Sequence, residues 1–499
     1  MQVAASIMAL SLIGASAQAM ADEILIRDVT VLSPDRAAAL PGVDVLISNG
    51  RIVAIGDQLE VSQAGTVIDG TGRYLSPGLI DAHVHLYHAT GLNRRFTDDF
   101  DRLFAEYFEQ MPRSYLYFGF TTVVELNADA EINAQFEAAP VRPDLVHCGS
   151  GVVLPDGFMS LDYGRDEFLA TFPNYLADPY GTSHLPEGAD RDAHTPEAVV
   201  ASIEEAGGAC VKMYYEEALW WPDEPRPDFA LPSVRILREV VEAAHARGMP
   251  VFLHATTPDG MRAGHEAGVD AFAHGPWEWP QSGFAGAGPD LEVEAIMSRI
   301  ARSPIRVQPT IRSIQNTRSL FNPGLLDDPA WADVVPAGFL AYLRAVAPEQ
   351  QRAFLRRFAD RLPSTPSMET LQDNFTNRYI DLIARFAAQG GQLSFGTDTA
   401  VGGLGWGSPP GLAGYWEMLD WQAAGLSGRD IVRAATIGNA ELLGVDADLG
   451  RIAPGYQANL VLLAANPWDD IAAWNRIELV IVRGEVIDRA ALSARRQEP

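Results

Sequence analysis

Between residues 76 and 398, short apolar runs alternate with stretches of helical periodicity. This rhythm restricts the fold more than any single motif in the chain. The runs fall at 79–86, 120–125, 144–153, 209–214, 250–254, 269–274, 305–309 and 392–398. Helical patterns fill the intervals, for instance at 195–206 and 233–247. Strands joined through helices need crossovers, so they are expected to run parallel. Eight such units close into a TIM-like (β/α)8 barrel more readily than they leave an open α/β sheet. Two intervals break the rhythm: 154–194 is rich in Gly, Pro and Tyr, and 312–374 is long, polar and helical. Both are expected over the C-terminal mouth of the barrel or on its flank, where inserted loops shape pockets.

The flanks read differently. Residues 23–32, 43–48, 51–56 and 66–69 look like short strands, and Asn49-Gly50 carries a hairpin signal. A last helix is expected at 427–444, followed by strands at 449–463 and at 477–488 around an Arg483-Gly484 turn. One large barrel with a smaller domain fits a chain of 499 residues.

A net charge of −28 argues against nucleic-acid binding, which needs a basic face, and against docking on anionic membranes. Residues 1–21 are uncharged and apolar, and Ala17-Gln18-Ala19 and Ala19-Met20-Ala21 both fit a small-x-small cleavage site. They resemble a signal peptide without its usual basic start, so export to a periplasm or the exterior is expected. No later stretch is long and apolar enough to span a bilayer. Cys148 and Cys210, far apart in sequence and without a Cys-x-x-Cys, are expected as buried free thiols, although export would permit a disulfide.

The chemistry starts at Ser76-Pro77-Gly78-Leu79-Ile80-Asp81-Ala82-His83-Val84-His85-Leu86. His83 and His85 share a strand face and make half a metal site. Taken alone, the pair equally suits two polar residues bonded to loops. His254 and His274 each end an expected strand, and Asp398 ends the last one, where it could also cap a following helix. Lys212 is the one lysine among 37 basic residues. A chain so averse to lysine uses arginine wherever a plain positive charge suffices. Lys212 is therefore expected to do what a guanidinium cannot, such as act through a neutral amine. The plainer reading pairs it with Glu125 or another acid near the barrel floor.

Pro77-Gly78-Leu79-Ile80-Asp81-Ala82-His83-Val84-His85 resembles the first barrel strand of the amidohydrolase superfamily, in its imidazolonepropionase-like and prolidase-like branch. The closing segment, from Thr436-Ile437-Gly438-Asn439-Ala440 through 449–463, is similar too. The resemblance implies a barrel at 76–444 beside a small β-sandwich built from 22–75 and 445–499. It also implies two divalent metals, zinc or else manganese or iron. His83, His85 and Asp398 would hold one, His254 and His274 the other, and a CO2-derived carbamate on Lys212 would bridge them. A hydroxide shared by the metals would attack a carbonyl, with Asp398 as general base. Tyr214, His147 and Trp277 are candidate substrate contacts.

The implied function is hydrolysis of an amide or cyclic-amide C–N bond, other than a peptide bond, in a small molecule. A prolidase-like dipeptidase, a lactonase and a non-catalytic binding protein are the alternatives, and a homo-oligomer is left open. Prolidase-like relatives often carry tyrosine two residues past the strand-five histidine; here that place is Thr256, which weakens the dipeptidase reading.

Overall fold

A computed structural model describes residues 23–63, 65–162, 165–217, 229–280, 290–358 and 367–496. The expected signal peptide at 1–21 lies outside the described residues.

The strands in chain order are β1 (Glu23–Val31), β2 (Leu40–Ser48), β3 (Arg51–Gly56), β4 (Thr66–Asp69), β5 (Tyr74–Pro77), β6 (Leu79–Val84), β7 (Phe120–Glu125) and β8 (Asp144–His147). They continue as β9 (Val211–Tyr215), β10 (Val251–Ala255), β11 (Ala271–Phe272), β12 (Arg306–Val307), β13 (Gln392–Leu393), β14 (Leu460–Leu463), β15 (Ile477–Val482) and β16 (Glu485–Asp488).

Strands from both ends of the chain share one sheet, ordered β16-β15-β14-β5-β1-β2-β3, with β4 pairing β1. The expected sandwich is thus one continuous hydrogen-bonded sheet. Its strands enclose an apolar cluster that includes Ile26, Val45, Ile47, Leu460 and Ile481. The hairpin signal is borne out: Ser48 pairs Arg51, with Asn49 at φ 50° and Gly50 at φ 74°. Positive φ at both central residues matches the strand twist.

The parallel strands form two runs, β6-β7-β8 and β13-β12-β11-β10-β9. Backbone bonds cross both gaps between them. Val152 N–H donates to Lys212 C=O at 2.8 Å, and Asp398 N–H donates to His83 C=O at 2.8 Å. β11, β12 and β13 are shorter than their apolar runs. Near their ends, side-chain amides take over ladder bonding: Gln308 Nε2 donates to Ala82 C=O at 3.0 Å, and Asn439 Nδ2 donates to Ile80 C=O at 2.9 Å. A cluster containing Ile80, Ala82, Val124, Phe252, Ala271 and Ala273 fills the space these strands surround.

Helices lie where the periodicity put them. Ser233 caps Val234–His245 by accepting from Ile236 N, and Thr195 caps Pro196–Glu205 by accepting from Ala198 N. The expected insertion at 312–374 contains the helix Ala337–Phe358, and a second long helix, Met368–Ala388, begins in it and leads to β13.

One expectation is overturned. Cys148 and Cys210 form a disulfide, with their Cα atoms 4.4 Å apart. Sequence distance concealed that β8 and β9 are neighbours. Ala209 N–H donates to His147 C=O at 2.8 Å, which sets the two cysteines side by side in the interior cluster.

Candidate metal centre

His83 and His85 alternate with Val84, so both imidazoles fall on one face of the chain leaving β6. Asp398 is drawn beside them by its backbone bond to His83. Its Oδ1 lies 3.1 Å from His83 Nε2 and 3.1 Å from His85 Nε2. Asp398 holds this position at φ 61°, a left-handed backbone that costs a non-glycine residue about 1–3 kcal/mol.

His254, near the end of β10, and His274, just beyond β11, complete the group. Ring centroids are 4.7 Å apart for His254 and His274, 5.2 Å for His83 and His274, and 5.1 Å for His83 and His85. Ligand atoms of His83, His274 and Asp398 all lie within 4.8 Å of one another. Lys212, on β9, is 1% exposed and close enough for its charge to oppose protonation of His83 and His274. Among the described residues no carboxylate lies within ion-pair distance of its amine. Glu125, the plainer candidate, instead faces His85 Nδ1 at 3.3 Å and accepts from the backbone N–H groups of Leu86 and Asn127.

Burial dominates the electrostatics. It lowers the Lys212 amine to about 7, against the pull of Asp398 and Glu125. Burial, then the Lys212 charge, lowers His83 to about 3. Burial and His254 push His274 well below the usual imidazole value. His85 goes the other way: burial opposes its charge, but hydrogen bonds to Asp398 and Glu125 raise it to about 9. Burial likewise opposes the Asp398 charge, yet His83 and His85 hold the carboxyl well below its ordinary range.

Hydrogen bonds select which nitrogen each ring turns to the centre. His85 Nδ1 faces Glu125, His254 Nε2 meets Glu216 Oε2 at 2.9 Å, and His274 Nδ1 meets Thr310 Oγ1 at 2.8 Å. That leaves His85 Nε2, His254 Nδ1 and His274 Nε2, the division expected of metal ligands with outer partners. His83 differs. It is fully buried, and neither ring nitrogen is in hydrogen-bond geometry, although Nε2 is near Asp398. Such an orphaned group costs about 1–3 kcal/mol, and a cation ligated there would remove that cost. Imidazoles with a carboxylate are a donor set suited to a divalent transition metal.

The structure therefore brings together His83, His85, Lys212, His254, His274 and Asp398. Tyr214 adjoins them, its ring 5.4 Å from Lys212 Nζ and 5.6 Å from the His254 ring. The Trp277 ring is 4.6 Å from His274. His147 does not join them: its Nε2 rests against Gly207, and its Nδ1 lacks a hydrogen bond. Cys148 turns into the interior, so its neighbour on the strand faces out.

Three further side chains were not foreseen. Glu216 follows Lys212 and Tyr214 at the same two-residue interval, so strand alternation could have found it. Thr310 and Phe158, the latter stacked on His254 at 5.7 Å, come from loops with no readable period.

Residues 74–286 and 376–487 match the amidohydrolase family model. The chain belongs to the amidohydrolase family, whose members are metal-dependent hydrolases. Imidazolonepropionase from Stenotrophomonas maltophilia (strain R551-3) is 26% identical over 226 residues, covering 42% of this chain and 51% of that protein. Allantoinase from Salmonella choleraesuis (strain SC-B67) is 37% identical over 67 residues, 13% of this chain and 14% of that protein. These relatives are hydrolases acting on C–N bonds. The chain spans about half the length of the first and a smaller share of the second.

Among solved structures, a Xaa-Pro dipeptidase with bound methionine superposes with TM-score 0.65 at 18% identity, over 94% of this chain and 100% of that one. Ochratoxinase from A. niger gives 0.62 at 17%, over 94% and 96%. At these identities the likeness concerns the fold alone.

Proposed function

We propose that this protein hydrolyses an amide or cyclic-amide C–N bond, other than a peptide bond, in a small molecule, using two divalent metals, zinc in the first instance. One observation carries the reading: four imidazoles, two of them buried and two partly buried, a carboxylate and a solitary amine from six separate positions converge on one space. His83, His85 and Asp398 would hold one ion, and His254 and His274 the other. Lys212 would bridge them after its neutral amine adds CO2, giving a carbamate and releasing one proton. Its burial, with no acid partner among the described residues, supports this role. Bound ions would acidify water and polarise a carbonyl.

The chain's own groups do the rest. Asp398 is ionised and fixed at Oδ1 between two imidazoles. Its other oxygen takes the proton of the attacking water and passes it to the leaving nitrogen. Tyr214 and Trp277 wall the substrate's approach.

The wider reading has the eight parallel strands closing into one barrel at 76–444, supported by the bonds across both gaps. The shared sheet forms the companion β-domain. Export is supported by the disulfide, which persists in oxidising compartments.

The test is metal analysis of the purified protein joined to a screen of N-acyl amino acids, cyclic amides, dipeptides and lactones. Metal-dependent turnover of a non-peptide amide, lost to chelator and restored by zinc or manganese, is expected. Folded protein that takes up no metal, or turnover indifferent to chelator, overturns the reading.

A further inference from the structure

Thr310 precedes the helix Ile311–Ser319 at the capping position, but its side chain does not cap that helix. An N-terminal threonine ordinarily accepts from a backbone N–H of its own first turn. Here the hydroxyl is diverted to His274 Nδ1, and the backbone sits at φ 46° and ψ 48°. The helix is capped from afar instead: Glu417 accepts from Ile311 N–H at 3.1 Å and from Arg312 N–H at 2.8 Å.

A second tie runs alongside the His274–Thr310 bond, one residue away on each chain. The Tyr379 hydroxyl accepts from Gly275 N–H at 2.9 Å and donates to Pro309 C=O at 2.7 Å. Tyr379 belongs to the helix Met368–Ala388, which leads into β13, and is 1% exposed. The fit is close enough to require glycine: a Cβ on residue 275 would come within 2.3 Å of the hydroxyl oxygen.

We propose that Tyr379 is a positioning residue for His274. By clamping Gly275 to Pro309, its hydroxyl holds Thr310 in the left-handed backbone from which it meets Nδ1, which leaves His274 Nε2 turned to the metal. The role given to the helix that carries Tyr379 is therefore to brace one ligand of the centre. This inference rests on the metal-centre reading above.

Tyr379→Phe removes the hydroxyl and keeps the ring, so the apo protein should melt within a few degrees of wild type. Affinity for Co(II) or zinc, measured by competition with a chromophoric chelator, should fall about tenfold or more, with an altered Co(II) visible spectrum. Thr310→Val should lower affinity similarly. Tyr379→Phe made in that background should add almost nothing, because both substitutions cut one route.

Unchanged affinity and spectrum in Tyr379→Phe, or additive losses in the double variant, would overturn the proposal while the metal centre stands. Wild-type protein that takes up neither metal would remove the centre and the proposal together. If Tyr379→Phe melts much earlier, the Co(II) spectrum of its folded fraction at low temperature decides: a wild-type spectrum overturns the proposal.

Discussion

The two halves of the candidate metal centre are held in different ways. His83, His85 and Asp398 are secured by the parallel strands and what directly follows them. Asp398 N–H bonds the His83 carbonyl, Glu125 of β7 holds His85, and Asp81 of β6 accepts from the Thr397 backbone and hydroxyl. His254 and His274 depend on groups beyond strand ends: Glu216 past β9, Thr310 past β12, and Tyr379 from the helix before β13. In the first half the holding groups also carry backbone bonds of the strands themselves; in the second they are side chains that reach in from beyond the strand ends. A substitution in the first half should therefore disturb folding and function together. One in the second should loosen a ligand and leave the fold nearly intact.

The largest effect should come where the halves meet. Lys212→Arg keeps the charge but cannot form a carbamate, so turnover should drop to background and metal content at both positions should fall together. Near-normal kcat would remove the bridge. Lys212→Ala should recover some activity with formate or propionate, short carboxylates that can take the carbamate's place.

Asp398→Asn tests the strand-held half alone. We expect kcat to fall about 10²–10⁴-fold, the usual worth of a general base, while part of the metal stays bound. An unchanged kcat would take proton transfer away from this residue.

The outer carboxylates set the halves directly against each other. Glu125→Ala and Glu216→Ala should each weaken metal binding about 10–100-fold. Glu125 also accepts two backbone N–H groups, whose loss of a partner costs about 1–3 kcal/mol each. Its replacement should therefore lower Tm clearly further than that of Glu216. Equal Tm losses would break the contrast.

The smallest effect on the centre is expected from the disulfide. Replacing Cys148 and Cys210 by alanine frees a loop of 62 residues and should cost about 2–4 kcal/mol of stability, read from denaturant unfolding. Metal affinity should hardly move.

This contrast also explains what the sequence revealed. The strand-borne ligands were legible because alternation along a strand leaves a local trace: His-x-His after Pro77-Gly78, and Lys-x-Tyr at 212–214. His254, His274 and Asp398 were legible because each closes an apolar run. The disulfide was not, because the approach of β8 to β9 is a property of the tertiary arrangement and leaves no local mark on either cysteine. His147 was misplaced for a related reason. The run at 144–153 does not show which face of β8 turns inward, and the interior place goes to its neighbour Cys148. Thr310 and Tyr379 meet their partners 36 and 104 residues away, and no period connects such distances.

A chain with a single, buried side-chain amine is also its own unfolding gauge. While the protein is folded, Lys212 is out of reach of an acylating reagent or a lysine-specific protease. Once it opens, one cut divides the chain at a known peptide bond, and the rate of that cut reports how often the catalytic interior is breached.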